Sequence, residues 1–376
     1  MAVYKIFPTK DSTIYSTYPS ENTGLDEIIE CSTKIESFTD LTGPQTSRFL
    51  IQFDTTEIND IINNKISGST YQTNLRCFVA DMTGLNADTS IDVYVVSGAW
   101  NMGTGRYDTI PTSSNGVSWA WRSSSGSNAW IPNTLANYVT ASYLASNPGG
   151  CTWYTGSSDS NFLPITGSQT FTFYGDKDID VNVTNIVKAW SASLIENNGF
   201  IVKQTSEFID DLAYQAQMKF FSRDTHTIYP PCLEFRWRDY VFNTGSSTNT
   251  ILNTLPATIA IDENPGIFYS SSINRFRVNA RPTYPPRNFL TSSEYTHNYY
   301  LPTASYYAIK DLTTNEYVID FDTQYTQLSA DGTGSYFTLY MNGLEPERYY
   351  KILIQTTING STQVIDDNYY FKVVNG

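Results

Sequence analysis

The fold of the N-terminal half is decided by the stretch Asp176-Lys-Asp-Ile-Asp-Val-Asn-Val-Thr-Asn-Ile-Val-Lys-Ala-Trp190. Apolar residues alternate over positions 179–183, and a period of two predicts a β-strand. Thr184 is predicted to be the N-cap of a short helix whose apolar face runs to Trp190. Asn198-Gly199 is expected to end that helix, because left-handed backbone is cheapest for glycine and asparagine.

Three further strands are predicted, two after this stretch and one before it. Phe200-Ile-Val202 and Cys232-Leu-Glu-Phe-Arg-Trp237 follow it, and Arg48-Phe-Leu-Ile-Gln-Phe-Asp54 is the strongest strand before it. Strands of this kind cannot bury their apolar faces alone and need a second sheet. The N-terminal half is therefore predicted to be a β-sandwich.

Composition limits the class of protein. The chain has 376 residues, which exceeds the usual size of a single core and predicts two or three domains. Aromatic residues make up 15%, including 28 Tyr and 20 Phe, and this bias favours β-structure. The net charge is −14, and lysine and arginine form no cluster, so we expect no nucleic-acid partner.

The four cysteines are dispersed along the chain, at Cys31, Cys77, Cys151 and Cys232. No C-x-x-C pair occurs, which argues against a thiolate metal centre. Free buried thiols are the favoured prediction, with one or two disulfides as the alternative. The opening residues, Met1-Ala-Val-Tyr-Lys-Ile-Phe7, alternate like a strand and lack the apolar core of a signal peptide, so we expect synthesis in a cytoplasm and no membrane partner.

Residues 101–170 differ in texture from their surroundings, because glycine, serine, asparagine and tryptophan accumulate in short runs. A connection this long is uncommon unless it is functional or packed on a neighbour. Tryptophans in strong elements (Trp100, Trp190, Trp237) are predicted to be core. Exposed aromatic rings stack on sugars or anchor interfaces. The candidates for either role are Trp119, Trp121, Trp130 and Trp153.

The order of four motifs resembles the jelly-roll domains of DNRLRE type, which are related to carbohydrate-binding modules. The motifs are Asp11 and Ile14 with Asn22-Thr-Gly24; Arg48 to Asp54; Asp180 to Trp190 with Asn198-Gly199-Phe200; and Phe221-Ser-Arg223 with Pro231-x-Leu-Glu-Phe235. The resemblance covers residues 3–238 and implies a jelly roll, with a glycan as a possible partner. The insertion departs from the family pattern, which has one tryptophan-containing loop.

The C-terminal third carries a second set of strand patterns. Residues 239–255 are rich in asparagine, serine and threonine and are predicted to be a linker. Beyond them, strands are predicted at 273–279, 306–309, 317–321, 336–340, 349–354 and 369–374. Leu344-Glu-Pro346 followed by Tyr350 resembles the tyrosine corner of fibronectin III and immunoglobulin-like domains. The fold class is thus all-β, with a jelly-roll sandwich and its loop insertion over 1–238 and an Ig-like sandwich over 256–376.

Catalytic groups are not brought together by any motif. Adjacent carboxylates at Asp210-Asp211 and Asp366-Asp367 would point to opposite faces of a strand, which favours turn positions. The two histidines follow no nucleophile motif. We therefore expect no enzymatic activity and no cofactor. A calcium site remains the alternative, built from Asp11, Asp54 or Asp176.

The C-terminal third also resembles virion structural proteins of tailed bacteriophages. The stretches concerned are Arg281-Pro-Thr-Tyr-Pro-Pro-Arg287, Asn298-Tyr-Tyr-Leu-Pro302 and Gly343-Leu-Glu-Pro-Glu-Arg-Tyr349. This implies a component of the neck, tail or fibre-attachment region. It would dock with other virion proteins in a symmetric ring or other multi-copy assembly and be located in the virion. The alternative is a carbohydrate-binding protein that recognises a cell-surface glycan.

Overall fold

The computed structural model describes residues 2–34, 45–68, 70–110, 112–124, 126–130, 139–141, 149–154, 165–207, 215–245, 250–262, 265–284 and 298–376. Within these ranges the chain consists mostly of β-strands. In the described part of the chain, helices are limited to α1 (Thr55–Asp60), a π-helical turn at Ile61–Lys65, α2 (Thr184–Ser191) and a 3-10 turn at Met341–Gly343. The prediction of an all-β sandwich protein is confirmed.

Strands run along the whole described chain. The first sixteen are β1 (Ala2–Ile6), β2 (Lys10–Tyr15), β3 (Ile28–Lys34), β4 (Gln45–Gln52), β5 (Tyr71–Cys77), β6 (Val79–Thr83), β7 (Thr89–Val96), β8 (Trp121–Ser124), β9 (Ser127–Ala129), β10 (Val139–Ala141), β11 (Thr152–Tyr154), β12 (Gly167–Phe171), β13 (Ile179–Asn182), β14 (Phe200–Gln204), β15 (Gln217–Phe221) and β16 (Cys232–Trp237). The remaining twelve are β17 (Thr250–Ile251), β18 (Ala257–Ile261), β19 (Ile267–Tyr269), β20 (Ile273–Pro282), β21 (Tyr299–Tyr300), β22 (Ser305–Asp311), β23 (Tyr317–Ile319), β24 (Ser329–Asp331), β25 (Gly334–Tyr340), β26 (Tyr349–Ile358), β27 (Ser361–Ile365) and β28 (Tyr370–Val374).

The chain forms two compact units. The N-terminal unit comprises Ile6–Lys65 and Gln72–Glu234, and the C-terminal unit comprises Met1–Lys5, Ile66–Tyr71 and Phe235–Gly376. Among the strands that precede residue 238, a four-stranded sheet has the order β1-β16-β5-β13. A ten-stranded sheet follows the path β10-β11-β7-β14-β4-β3-β15-β6, with β12 on β7 and β2 on β4.

The stretch around α2 folds largely as its pattern predicts. Strand β13 pairs with β5 in antiparallel register, and α2 buries its apolar face through Trp190. The predicted cap is wrong: the cap residue is Val183, and Thr184 is the first helical residue. The side chain of Asn182 takes the capping role, because its Oδ1 accepts from the Thr184 backbone N–H (3.0 Å) and hydroxyl (2.6 Å). The helix also ends earlier than predicted, at Ser191.

The C-terminal unit is a sandwich of two six-stranded sheets. One follows β17-β21-β20-β25-β24 with β18 on β20, and the other follows β19-β28-β26-β22-β23 with β27 on β26. Their facing sides share one apolar core around Phe276, Tyr307, Phe337 and Phe371. The tyrosine corner is confirmed, because the hydroxyl of buried Tyr350 donates to the Glu345 carbonyl at 2.9 Å. All six strands predicted here are present.

The predicted linker, 239–255, makes backbone bonds within the C-terminal unit where it is described. Asn243 N–H donates to the Ala330 carbonyl (3.0 Å), and Ala330 N–H donates to the Val241 carbonyl (2.8 Å). Strand β17 pairs in parallel with β21. The sequence predicted a linker because asparagine, serine and threonine side chains do not build a core. The segment nevertheless pairs through its backbone N–H and C=O groups, which does not require apolar side chains.

The described structure also bears on thiols and membranes. All four cysteines are buried and free, which confirms the favoured prediction. No helix in the described part of the chain is long and apolar enough to cross a bilayer.

Candidate functional site

Described parts of the insertion pack as a covering layer on the outer face of the ten-stranded sheet, and others join that sheet as β10, β11 and β12. Strand β4 is buried on both sides, since Phe49, Leu50 and Ile51 are all fully inaccessible. Its outer face contributes to a second apolar cluster, which joins strand residues to tryptophans of the insertion. That cluster contains Ile14, Leu50, Val96, Trp100, Val117, Trp119, Trp130, Cys151, Trp153 and Ile201.

Three of the four candidate tryptophans are therefore core residues. Trp119, Trp130 and Trp153 are only 4%, 6% and 3% exposed, and Trp121 is partly buried in β8. The expectation that these side chains are exposed is wrong for the first three, because the sheet beneath them has an apolar outer face to cover. As described, those three rings are not available to a glycan or a partner. The core prediction for Trp100, Trp190 and Trp237 is confirmed.

Arg48 explains why tryptophans are used in this layer. Its side chain is fully buried and forms two bonds with the Glu207 carboxylate, at 2.8 and 2.7 Å, and another to the Gly150 carbonyl. The guanidinium lies 4.7 Å from the ring centre of Trp119 and 5.3 Å from that of Trp153. A buried cation needs a paired anion, and aromatic rings nearby add cation–π attraction. This arrangement supplies both.

Asn22 positions the first loop of the insertion. Its amide nitrogen donates to the carbonyls of Met102 (2.7 Å) and Val117 (2.8 Å), and its Oδ1 accepts from Gly105 N–H (2.8 Å). A side chain at Gly103 would lie 2.2 Å from Asn22 Oδ1, so only glycine fits there. Asn22 belongs to one of the four motifs that carry the family resemblance. Its side chain is thus a clamp that holds this loop at Met102, Gly105 and Val117.

The clamped loop brings Tyr107 beside two tyrosines from the start of the chain. The ring of Tyr107 lies 4.9 Å from that of Tyr15 and 5.9 Å from that of Tyr18, centre to centre. Tyr107 N–H donates to both carboxylate oxygens of Asp26, at 3.0 and 3.2 Å. Burial raises the pKa of Asp26 to about 6, although these bonds and Arg106 oppose the shift.

These rings border an open groove of about 220 Å³. We call it the tyrosine groove; its described lining is Tyr15, Thr17, Tyr18, Glu30, Ser32, Lys34, Gln45, Thr46, Ser47, Tyr107, Gln217 and Lys219. The Ser32 and Ser47 hydroxyls lie 2.6 Å apart, and Lys219 lies 3.4 Å from Glu30. Burial raises the pKa of Tyr15 well above its usual value, so its hydroxyl stays protonated at neutral pH. The groove can accept a ring on its tyrosines and bond polar groups along its floor.

A second exposed aromatic feature lies between β12 and β13. Phe173 and Tyr174 are 69% and 95% exposed, and their rings meet edge to face at 5.0 Å. Lys177 Nζ fixes the turn by donating to the carbonyls of Thr172, Phe173 (2.9 Å) and Gly175 (2.8 Å). We call residues 172–178 the aromatic tip. Its two rings are held outward on an ordered turn.

The C-terminal unit presents a third aromatic surface, the outer face of the sheet that contains β26 and β28. Register places Tyr349 opposite Lys372, and Lys372 opposite Ile267, so their side chains share one face. The inward neighbours Phe268, Tyr350 and Phe371 belong to the core. We call the outer set the lysine–tyrosine face; it consists of Ile267, Tyr269, Lys310, Tyr317, Tyr349, Lys351, Tyr370 and Lys372.

The lysine–tyrosine face is exposed and internally paired. Its tyrosines at 269, 317, 349 and 370 are 60%, 45%, 48% and 59% accessible. Lys310 and Lys372 lie 5.2 and 5.9 Å from the ring centres of Tyr317 and Tyr349. Lys372 also pairs with Glu347. Cation–π contacts therefore hold two of the tyrosines, Tyr317 and Tyr349, against lysines of the same face.

The calcium candidates each bond a backbone N–H in a different element. Asp11 Oδ2 accepts from Arg223 N–H (2.7 Å), Asp54 caps α1 through Thr56 N–H (3.1 Å), and Asp176 accepts from Lys177 N–H (2.7 Å). Among the described residues, no group of three or more metal-ligating side chains is present. The structure does not gather these carboxylates into one site, and calcium binding stays a prediction.

Sequence reasoning missed the tyrosine groove, the aromatic tip and the lysine–tyrosine face. The groove unites residues far apart in the chain, so no local pattern marks it. The tip did carry a signal, since two adjacent aromatics before a glycine lie in turn chemistry at Phe173-Tyr-Gly175. The carboxylate pair Asp210-Asp211 lies outside the described residues.

No protein-family model matches the sequence, and no curated protein matches it significantly.

Proposed function

We propose that the chain is a non-enzymatic structural component of a tailed-phage virion, docking through exposed aromatic surfaces in a multi-copy assembly. It would be located in the neck, the tail or the fibre-attachment region, and its partners would be other virion proteins. The observation that carries the proposal is the lysine–tyrosine face. Four accessible tyrosines share one sheet face, in a unit whose opposite side already holds a complete core.

Leaving these aromatic side chains exposed to water is unfavourable in free energy. Aromatic side chains bury about 150–250 Å² each on contact, and clusters of them are typical of interface centres. The lysines on this face would form the polar part of the contact. The resemblance of the C-terminal third to virion proteins supports the same proposal.

Mass spectrometry of purified particles tests it. The chain should be present at fixed stoichiometry, and a Tyr349→Ser/Tyr370→Ser variant should be depleted from particles. The matched control is Tyr284→Ser, because Tyr284 is 83% exposed and lies outside this face. Particles that are complete without the chain would refute the proposal.

A second candidate, glycan recognition, is favoured by the tyrosine groove. Ring-on-ring stacking against tyrosine and bonds from hydroxyl and amide groups are what a sugar requires. Titration of the host's surface polysaccharide should then show binding that Tyr18→Ala abolishes. Trp119→Ala is unsuitable for this test, since that buried side chain would disturb the core. Equal affinity of the wild type and Tyr18→Ala would remove this candidate.

A further inference from the structure

Strand β27 (Ser361–Ile365) forms an edge of the C-terminal unit. It pairs with β26 through a two-residue turn, Asn359-Gly360, in which both residues have positive φ. In a tight hairpin of this kind, the ladder bonds at the pair that flanks the turn and at every second pair after it. The backbone N–H and C=O groups of Thr362 and Val364 therefore point away from β26.

These outward groups are open to a second strand. In the described part of the chain, β27 pairs with β26 alone. Thr362 and Gln363 are exposed, and Val364 is 52% exposed. Unpaired N–H and C=O groups along an exposed edge are a template for pairing with another strand.

Other edge strands of the molecule carry features that discourage such pairing. Strand β13 contains Asp180, and β6 contains Asp81 and shifts register against β15. Strand β23 has three residues, and its register against β22 also shifts. Strand β27 has five residues, with neither a charged residue nor a proline, and its register against β26 is unbroken. It therefore lacks the features by which natural proteins protect a sheet edge.

A second copy of β27 complements this edge. In antiparallel register about Gln363, Thr362 of each copy lies opposite Val364 of the other, and these two pairs exchange four N–H···O=C bonds. The strand contains no charged residue, so the copies do not repel each other there although each has a net charge of −14. Asp366, directly after the strand, is paired with Lys351 of its own copy at 2.6 Å.

We propose that two copies of the chain pair through β27 in this register, around a two-fold axis that joins their sheets into one. This rests on the multi-copy assembly proposed above and names a contact that builds it. Thr362 and Val364 pair with Thr357 and Gln355, which are an even number of positions from Tyr349, so their side chains share the side of the lysine–tyrosine face. The pairing therefore places two such faces side by side.

Sedimentation of the full chain over a concentration series tests the proposal. The wild type should dimerise, and more tightly at high salt, because salt screens the repulsion between two copies of net charge −14. Val364→Pro should raise the dissociation constant about 30-fold, since it removes one N–H donor from each copy and so two of the four bonds. Proline is tolerated there because the ladder with β26 does not use that N–H.

A charge exchange at Gln363 supplies the decisive measurement. The two Gln363 residues lie directly opposite each other across the axis, with their Cβ atoms about 4.5–5.5 Å apart. Gln363→Lys and Gln363→Glu should each dimerise more weakly than the wild type, because like charges then face each other. Their equimolar mixture should associate about tenfold more tightly than either variant alone. Gln324→Lys and Gln324→Glu are matched controls in an exposed turn, and both should dimerise like the wild type.

Hydrogen exchange identifies the edge itself. The N–H groups of Thr362 and Val364 should exchange more slowly as the concentration of the wild type rises, whereas that of Gln363, which bonds within each copy, should change little. Monomers at every concentration up to about 1 mM would overturn the proposal and leave the edge to another protein's strand. A dimer without protection at Thr362 and Val364 would also overturn it, as would a mixture that associates no better than the single variants.

The two proposals fail separately. If the wild type is monomeric in solution and Val364→Pro enters particles as well as the wild type does, the edge contact is refuted and the virion role stands. If the chain is absent from particles while the mixture of the two Gln363 variants dimerises, the virion role fails and the edge contact stands.

Discussion

Removing either partner of the Arg48–Glu207 pair should destabilise the N-terminal unit strongly, and the two removals should differ in cost. Both side chains are fully buried, and Lys203 Nζ lies 3.6 Å from the same carboxylate. Arg48→Met keeps the volume between Trp119 and Trp153 but leaves Glu207 with Lys203 alone. Glu207→Gln leaves two buried cations without an anion. The second change should therefore cost more.

The magnitude follows from the environment of the pair. Breaking a buried ion pair by removing one partner costs about 3–5 kcal/mol, because the remaining charge is uncompensated. Arg48→Met should lie near the lower end, since Lys203 still faces Glu207, and Glu207→Gln near the upper end. The double variant should cost less than the sum of the two single changes, by about 2 kcal/mol or more.

Urea unfolding followed by tryptophan fluorescence measures these differences. The chain forms two compact units, so the curve is fitted with two transitions, and only that of the N-terminal unit should move. A cost below about 1 kcal/mol for Arg48→Met, or strict additivity in the double variant, would refute the reasoning. Either result would mean that the tryptophan layer is held by apolar contact alone.

Three further changes test other parts of the structure. Burial raises the pKa of Asp11 from 3.8 to about 7, so between these pH values the folded state holds a proton that the unfolded state releases. The free energy of unfolding should therefore fall as the pH rises from about 4 to 7, by up to about 4 kcal/mol. Asp11→Asn should remove that slope in urea titrations at several pH values. Tyr350→Phe loses the 2.9 Å bond to Glu345 and should cost about 1–2 kcal/mol, in the transition of the C-terminal unit only. Asn22→Ala should cost about 3 kcal/mol and speed hydrogen exchange at Gly105, whose N–H it frees; unchanged exchange there would contradict the clamp.

Strands were predictable because a period of two is a local signal. The six C-terminal strands that were predicted and the strand before α2 follow from alternation in neighbouring residues. Helix ends were less predictable, because the cap of α2 depends on Asn182 reaching forward to the Thr184 N–H and hydroxyl. Pairing of the polar stretch 239–255 depends on backbone groups, which composition does not reveal.

The burial of the tryptophans was predictable from one neglected pattern. Phe49-Leu-Ile51 and Phe200-Ile-Val202 are runs of consecutive apolar residues, which indicate strands buried on both faces. Two such strands pair directly in the ten-stranded sheet. A sheet with an apolar outer face needs a covering layer, and residues 101–170 are the unassigned aromatic-rich segment. That reasoning places the tryptophans inside.

Separating buried from exposed aromatics changes which residues can decide function. A ring in the covering layer serves the fold, so its substitution lowers stability and tells nothing about a ligand. Tyr18, Tyr174 and Tyr370 are 46%, 95% and 59% exposed, and their loss should leave the unfolding transitions in place. Any loss of assembly or of glycan binding in those variants must therefore come from the surface. If binding were lost only on replacement of Trp119 or Trp153, the loss would reflect disruption of the covering layer and would not identify a binding site.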